Sequence, residues 1–288
     1  GPEITAAALL VLKAVSTRYG HDLTVEEHDV GWSAWDRSGT PLPDETLAAC
    51  RRGPAVFLGA VGDPRGDSLP RDERPEIASG CDLVIVRELT GGIYYGTPRG
   101  LDPVAKRAVN TLVYTAQEVE RIARVAFDLA MRRDRRVLSV DKANVLEVSQ
   151  LWRSVVDGLA GEYPEVSVAH MYVDRAAMEL VLRPGQFDVM LTSNLFGDIL
   201  SDEAGALCGS LGLLASASVG GTVGLYEPVH GSAPDIAGRG IANPNGAIRC
   251  IALMLSHSFD LETEAVAVER AVTAALEKGL RTQIGRAH

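Results

Sequence analysis

Two aspartates, Asp198 and Asp202, stand four residues apart in the run GDILSD. On a helix that spacing puts both carboxylates on one face, one turn apart. Like charges so placed repel by roughly a few tenths of a kcal/mol unless something positive lies between them. A solvated acidic helix face is the commoner explanation of a lone D-x-x-x-D. Here, however, Asp198 is set among Leu195, Phe196, Ile199 and Leu200 and follows the strand-like run FDVMLTS. A third carboxylate, Asp174, directly follows the apolar run HMYV. In open α/β sheets such strand-to-helix edges form the ligand crevice. Oxygen donors with open positions suit Mg2+ or Mn2+, which keep room for water or substrate.

Three further blocks carry chemistry. In SVDKANV, Lys142 ends an apolar run beside Asp141, with Asn144 and Val145 following. A lysine near a metal or low-dielectric surroundings can have a lowered pKa and take a proton from a hydroxyl; a surface lysine at a strand end is the alternative. In VRELTGGIYYG, Arg87 can grip a carboxylate and a tyrosine can deliver a proton to an enolate carbon. The same letters also fit a turn with an aromatic cap. In HGSAPDIAGRGIANP, small residues allow close approach of a ligand and Asp235 can accept both hydroxyls of a ribose. Taken alone, this run is only a loop.

The elements that must position these groups alternate between helical and strand patterns, as in an α/β fold. Helices are predicted over 4–15 (mostly buried), 118–133, 148–159, 176–182, 247–259 and 262–278. Strands are predicted over 22–26, 55–61, 82–89, 137–140, 166–173 and 187–192, and long functional loops over 216–245. No G-x-G-x-x-G follows a predicted strand and no G-x-x-x-x-G-K occurs. A dinucleotide, if used, is not held in the Rossmann manner.

The bulk numbers narrow the function classes. The chain has 288 residues, 46% hydrophobic, with net charge -10. Phosphate neutralisation needs clustered cations, and no Lys/Arg block occurs, so a nucleic-acid groove is not expected. No apolar run is long enough to span a bilayer, and no export signal is read at the start. Cys50, Cys81, Cys208 and Cys250 are scattered without a C-x-x-C pair, which suits thiols in a reducing cytoplasm better than zinc or disulfides.

Taken together and in order, the four blocks resemble the β-decarboxylating dehydrogenase family, which includes isopropylmalate, isocitrate, homoisocitrate and tartrate dehydrogenases. The opening Gly1-Pro2-Glu3 resembles the end of that family's GDGIGPE start. The resemblance implies a two-lobed α/β fold with a non-Rossmann dinucleotide site. It implies a cofactor lobe of residues 1–76 and 209–288, and a substrate, metal and dimerisation lobe of residues 77–208. Asp174, Asp198 and Asp202 correspond to metal ligands for Mg2+ or Mn2+, Lys142 to the general base and Tyr94 to the general acid. Arg87, Asn144, Val145 and Asp174 would meet the substrate. Glu76, Glu227, His230, Gly231, Ser232, Ala233, Pro234, Asp235 and Asn243 would hold NAD, with Asp235 favouring NAD over its 2′-phosphorylated form. Lys142 and Asp174 would enter each site from a second subunit, which implies an obligate homodimer.

Within the family, RELTGGIY at 87–94 resembles the isopropylmalate branch, because isocitrate-type members carry N-T-E in place of Leu89-Thr90-Gly91. The expected reaction is NAD-dependent oxidative decarboxylation of 3-isopropylmalate to 4-methyl-2-oxopentanoate. A tartrate-, malate- or isocitrate-type enzyme, or a non-catalytic regulatory subunit, are the alternatives. One departure is large. After Glu76 the family continues into L-R-x-x-L-x-x-Y-x-N-x-R-P, whereas this sequence passes directly to Ile77. The family segment supplies two substrate-gripping arginines and the contacts to the isopropyl group. Deleting a strand and helix from a packed domain would expose core, so a mobile loop beyond this sequence is favoured over true loss. An intact mass of 30.6 kDa would decide for loss.

Overall fold

Burial at Ile4, Ala8, Leu12 and Val15 recurs about once per helical turn and gives α1 (Pro2–Tyr19) one inward stripe. Leu10, on the same helix, is 70% exposed, so α1 is buried on one face and not mostly buried as expected. The helix stops at Gly20, which takes the left-handed conformation (φ 76) and donates its N–H to the Ser16 carbonyl. The computed structural model describes residues 1–60, 81–207, 211–280 and 282, without the side chains of Trp32, Leu211 and Asp235. It divides into two units, Gly1–Arg71 with Ser210–His288, and Asp72–Gly209.

The first unit continues with α2 (Trp32–Ser38), α3 (Asp44–Arg52) and β1 (Ala55–Phe57). Residues 21–30 have no regular structure, so the strand expected over 22–26 does not form. Most of that run is exposed, and its alternation finds no partner strand to pair with. The helices α2 and α3 were not anticipated by periodicity. A sheet of order β1-β9-β8 joins β8 (Ala215–Ser218), antiparallel to β9 (Gly224–Pro228), with β1, parallel to it. The expected loop region over 216–245 therefore begins with two strands. Tyr226 in β9 is fully buried and bonds to Ser258, packing that Gly/Ser-rich sequence cannot advertise. Residues 229–244 carry only a single 3-10 turn (Pro234–Ile236), as a loop should. Helices α8 (Asn245–Phe259) and α9 (Glu262–Glu277) complete a core with α1, Tyr226, Ile251 and Leu255. Cys250 lies in that core, and burial pushes its thiol up to about 12.

The second unit is built on a four-stranded parallel sheet of order β2-β7-β5-β6. Its strands are β2 (Val84–Arg87), β5 (Arg136–Asp141), β6 (Ser167–Tyr172) and β7 (Val189–Thr192). A hairpin of β3 (Gly100–Asp102) and β4 (Arg107–Val109) stands apart from this sheet. Central β7 is buried at every position, which explains its unbroken apolar run. Val189 and Leu191 join one core with α4 (Ala116–Met131) and α5 (Glu147–Ala160). Met190 joins another with α6 (Val173–Leu182) and Leu200 of α7 (Asn194–Leu207). The sheet is thus covered on both faces, as parallel sheets are. A capping box starts α4: Thr115 accepts from the Glu118 N–H, and Glu118 accepts from the Thr115 N–H.

Candidate active site

All four strands of the second unit run the same way, so their C-terminal ends share one edge. Arg87 closes β2, Asp141 closes β5, Tyr172 closes β6 and Thr192 closes β7. The helices that follow β5 and β7 pack on opposite faces. Between those strands lies the topological switch point at which open α/β sheets bind ligands. Lys142, Asp174 and Asp198 all come from segments that leave this edge.

Two clusters form there. In one, Arg87 donates from Nη1 to Asp198 Oδ1 at 2.6 Å, and from Nε and Nη2 to Asn194 Oδ1 at 3.1 and 2.8 Å. Tyr94, at the end of a 3-10 turn (Gly92–Tyr94), donates its hydroxyl to Asp198 Oδ2 at 2.7 Å. That bond to a carboxylate raises the Tyr94 pKa above the usual phenol value, so the group keeps its proton. The Arg87 side chain is 24% exposed and that of Asp198 44%, open enough for a ligand to reach both. Gly197 is required beneath them, because a Cβ there would lie 2.5 Å from Arg87 Cγ.

The second cluster surrounds Lys142. Its ammonium bonds to Asp174 Oδ1 and lies 5.9 Å from the centre of the Tyr172 ring. The lysine lowers the Asp174 pKa, so the carboxylate stays ionised. Its backbone is fixed from below. Buried Asp141 takes both Nε and Nη2 of Arg153 at 2.9 Å and also accepts from the Ala143 N–H, while Lys142 N–H donates to Ser149. Asn144 and Val145 are exposed on the adjoining turn.

The three aspartates expected to bind metal are not gathered in one chain. Asp198 and Asp202 lie one turn apart on α7, whereas Asp174 opens α6 and faces Lys142. Among the described residues no group of at least 3 His, Cys, Asp or Glu side chains is placed to hold a metal. Both oxygens of Asp198 are held by Arg87 and Tyr94. As a donor set, a pair of carboxylates on one helix face fits an oxygen-seeking divalent cation only when further oxygen ligands come from elsewhere.

Apart from Glu76, the residues expected to hold the dinucleotide belong to the first unit. Glu227 sits in β9, where burial raises its pKa. His230 bonds through Nδ1 to the Gly231 carbonyl, and its Nε2 is buried without a partner. Ala233 takes a left-handed φ of 41°, Pro234 opens the short turn that includes position 235, and Asn243 accepts from the Asn245 N–H. A polar atom buried without a partner in a loop of small residues suits a ligand that supplies one. Gly231 and Ser232 lie in this loop. Glu76, and the junction to Ile77, fall outside the described residues.

Several residues of the site escape sequence reasoning. Asn194 and Tyr114 stand beneath the Arg87 cluster, and Arg153 beneath Lys142. Asn194 stands three residues before GDILSD, so its place at a helix start is a usable signal. Tyr114 and Arg153 carry no such signal, since only the fold brings them near.

A model of the isocitrate/isopropylmalate dehydrogenases matches residues 1–77 and 68–285. The chain belongs to the isocitrate/isopropylmalate dehydrogenase family. It is 50% identical to the 3-isopropylmalate dehydrogenase of Wolinella succinogenes, over 98% of this chain and 88% of that one. It is 49% identical to the 3-isopropylmalate dehydrogenase of Symbiobacterium thermophilum, over 98% and 89%. Among solved structures, isocitrate dehydrogenase from Methylococcus capsulatus superposes with a TM-score of 0.84 at 38% identity, covering 97% of this chain and 88% of that one. A β-decarboxylating dehydrogenase from Thermococcus kodakarensis gives 0.82 at 36%, covering 100% and 89%. The family match breaks into two stretches at residues 68–77, where the sequence departs from the family pattern. Aligned lengths of 317 and 327 against the two bacterial relatives exceed the 288 residues of the chain, so those family members hold segments that it lacks.

Proposed function

We propose that this family member oxidatively decarboxylates 3-isopropylmalate to 4-methyl-2-oxopentanoate, with NAD as hydride acceptor and Mg2+ or Mn2+ bound, in leucine biosynthesis. The observation that carries the reading is the hydrogen-bonded trio Arg87, Asp198 and Tyr94 at a switch-point edge, within a chain half identical to named isopropylmalate dehydrogenases. Arg87 has three N–H groups engaged and two more for a substrate carboxylate. Tyr94, held protonated, would give a proton to the enolate carbon left after carbon dioxide departs. Lys142, once neutral, takes the proton of the C2 hydroxyl as hydride leaves C2. Asp198, Asp202 and Asp174 would hold the cation, which supplies Lewis-acid polarisation of the substrate oxygens. Glu227, the run 230–235 and Asn243 would hold NAD, making the first unit the cofactor lobe and the second the substrate lobe, with Glu76 of the second unit also reaching the cofactor.

A homodimer with shared sites accounts for the separation of the two clusters. Asp174 and Lys142 of one copy would complete the Arg87–Tyr94–Asp198 cluster of another. Exposed apolar residues on α6 (Met178, Val181 and Leu182) and on α7 (Ile199) suit contact with that copy, as does the exposed β3–β4 hairpin with Leu101 and Val104. Among the described residues no helix is long and apolar enough to cross a membrane, and a metabolic role of this kind suits the cytoplasm.

The test is NADH formation with 3-isopropylmalate, isocitrate, tartrate and malate, each with Mg2+, with Mn2+ and with excess EDTA. Turnover of 3-isopropylmalate at a kcat/KM at least about tenfold above the others, abolished by EDTA, is expected. Preference for another acid, or cation-independent turnover, would overturn the reading.

A further inference from the structure

Asn194 is 1% exposed, and its side-chain amide and backbone N–H are engaged. Its side-chain oxygen accepts from Arg87 Nε and Nη2, and its Nδ2 donates to the Leu89 and Gly91 carbonyls at 3.1 and 3.2 Å. Its backbone N–H donates to the Tyr114 hydroxyl at 2.9 Å. The orientation of the amide is forced by chemistry. A guanidinium only donates and a carbonyl only accepts, so oxygen must face Arg87 and nitrogen the loop. Only an asparagine of this length meets both demands. An aspartate would turn an oxygen onto two carbonyl oxygens, and a leucine would leave the guanidinium and both carbonyls unsatisfied.

These bonds join three parts of the site. Arg87 ends β2, Leu89 and Gly91 lie in the loop that leads to Tyr94, and Asn194 opens the helix that carries Asp198. We propose that Asn194 is a positioning residue that locks the carboxylate-gripping guanidinium of Arg87 and the loop carrying Tyr94 into one geometry. It touches no substrate atom and acts through Arg87 and the loop. This rests on the reading of Arg87 as the substrate-carboxylate grip.

The experiment combines steady-state kinetics with detection of the Arg87 Nε–H in 15N-labelled protein. Asn194→Ala raises the KM for 3-isopropylmalate by about tenfold or more while the KM for NAD stays within about twofold. The slowly exchanging Nε–H signal, assigned by its disappearance in Arg87→Lys, is lost in Asn194→Ala. Asn194→Asp, which keeps the acceptor for the guanidinium but sets an oxygen against the Leu89 and Gly91 carbonyls, retains the Nε–H signal without restoring the parent KM. The double variant Arg87→Met/Asn194→Ala has a KM no higher than Arg87→Met alone, because a positioning residue has nothing left to position. Should the alanine variant fail to fold, Asn194→Ser carries the same predictions. A folded Asn194 variant with reduced kcat but unchanged substrate KM and an intact Nε–H signal overturns the proposal, as do multiplicative effects in the double variant. Arg87→Met with an unchanged substrate KM would instead overturn the reading of Arg87, and is seen separately.

Discussion

Arg87 and Tyr94 share one carboxylate, and that sharing sets what each can do. Asp198 holds the phenol proton by accepting it in a hydrogen bond, while Arg87 offsets the negative charge that would otherwise accumulate beside it. Removing the phenol leaves the grip intact and takes away the proton donor. Tyr94→Phe should therefore lower kcat by at least about a hundredfold with little change in substrate KM. Initial rates of NADH formation across substrate concentration measure both, and a kcat within threefold of the parent would exclude Tyr94 as the acid.

At the scale of elements, the β2-to-hairpin stretch is held by a buried carboxylate and by glycines. Glu88, 2% exposed, accepts from the Thr90 N–H and hydroxyl, the Gly91 N–H and Arg121. Burial pushes its pKa up, but the hydrogen bonds from Thr90, Gly91 and Tyr114 outweigh that and leave it below the ordinary glutamate value. The folded state thus binds the Glu88 proton less readily than the unfolded chain. Its contribution to stability is complete above the ordinary carboxylate pKa and is lost as pH falls through the lowered value. Glu88→Gln should cost about 1–3 kcal/mol at neutral pH and make denaturant midpoints between about pH 5 and 3 fall less steeply than in the parent. An unchanged acid slope would contradict this. The glycines act by close approach. A Cβ on Gly96 would lie 1.9 Å from the Thr111 carbonyl oxygen, whereas one on Gly100 meets nothing within 4 Å. Gly96→Ala should destabilise by about 3 kcal/mol or more and Gly100→Ala by less than about 1. Chemical denaturation of the two variants side by side compares them.

At the scale of the molecule, the separation of Lys142–Asp174 from Arg87–Tyr94–Asp198 makes a prediction about pairs of chains. Lys142→Ala and Tyr94→Phe each inactivate every site of a homodimer. A heterodimer purified from co-expression of the two, with different tags, holds one site with neither change. It should recover about half the parent activity per dimer, and an inactive heterodimer would refute shared sites.

Much of this molecule is written in local sequence. The stripe of α1, the apolar run of β7 and the spacing of Asp198 and Asp202 each follow from a period that neighbouring residues reveal. The positions of the candidate site residues were legible for a related reason, since Arg87, Lys142 and Asp174 fall where apolar strands end. Tertiary structure decided the remainder. It left the alternation at 22–26 without a partner, and it drew strands from the Gly- and Ser-rich sequence of 215–228 by packing Tyr226 into a core. It also placed Asn194, Tyr114 and Arg153 beneath the site. Those contacts join residues as many as 107 positions apart, and no local period encodes them. The opening trio of aspartates was changed most. Sequence identified the three carboxylates, but the fold of one chain gathers Asp198 with Arg87 and Tyr94 and sends Asp174 to Lys142. Coordination depends on where separate helices point, which side-chain spacing along one chain does not determine.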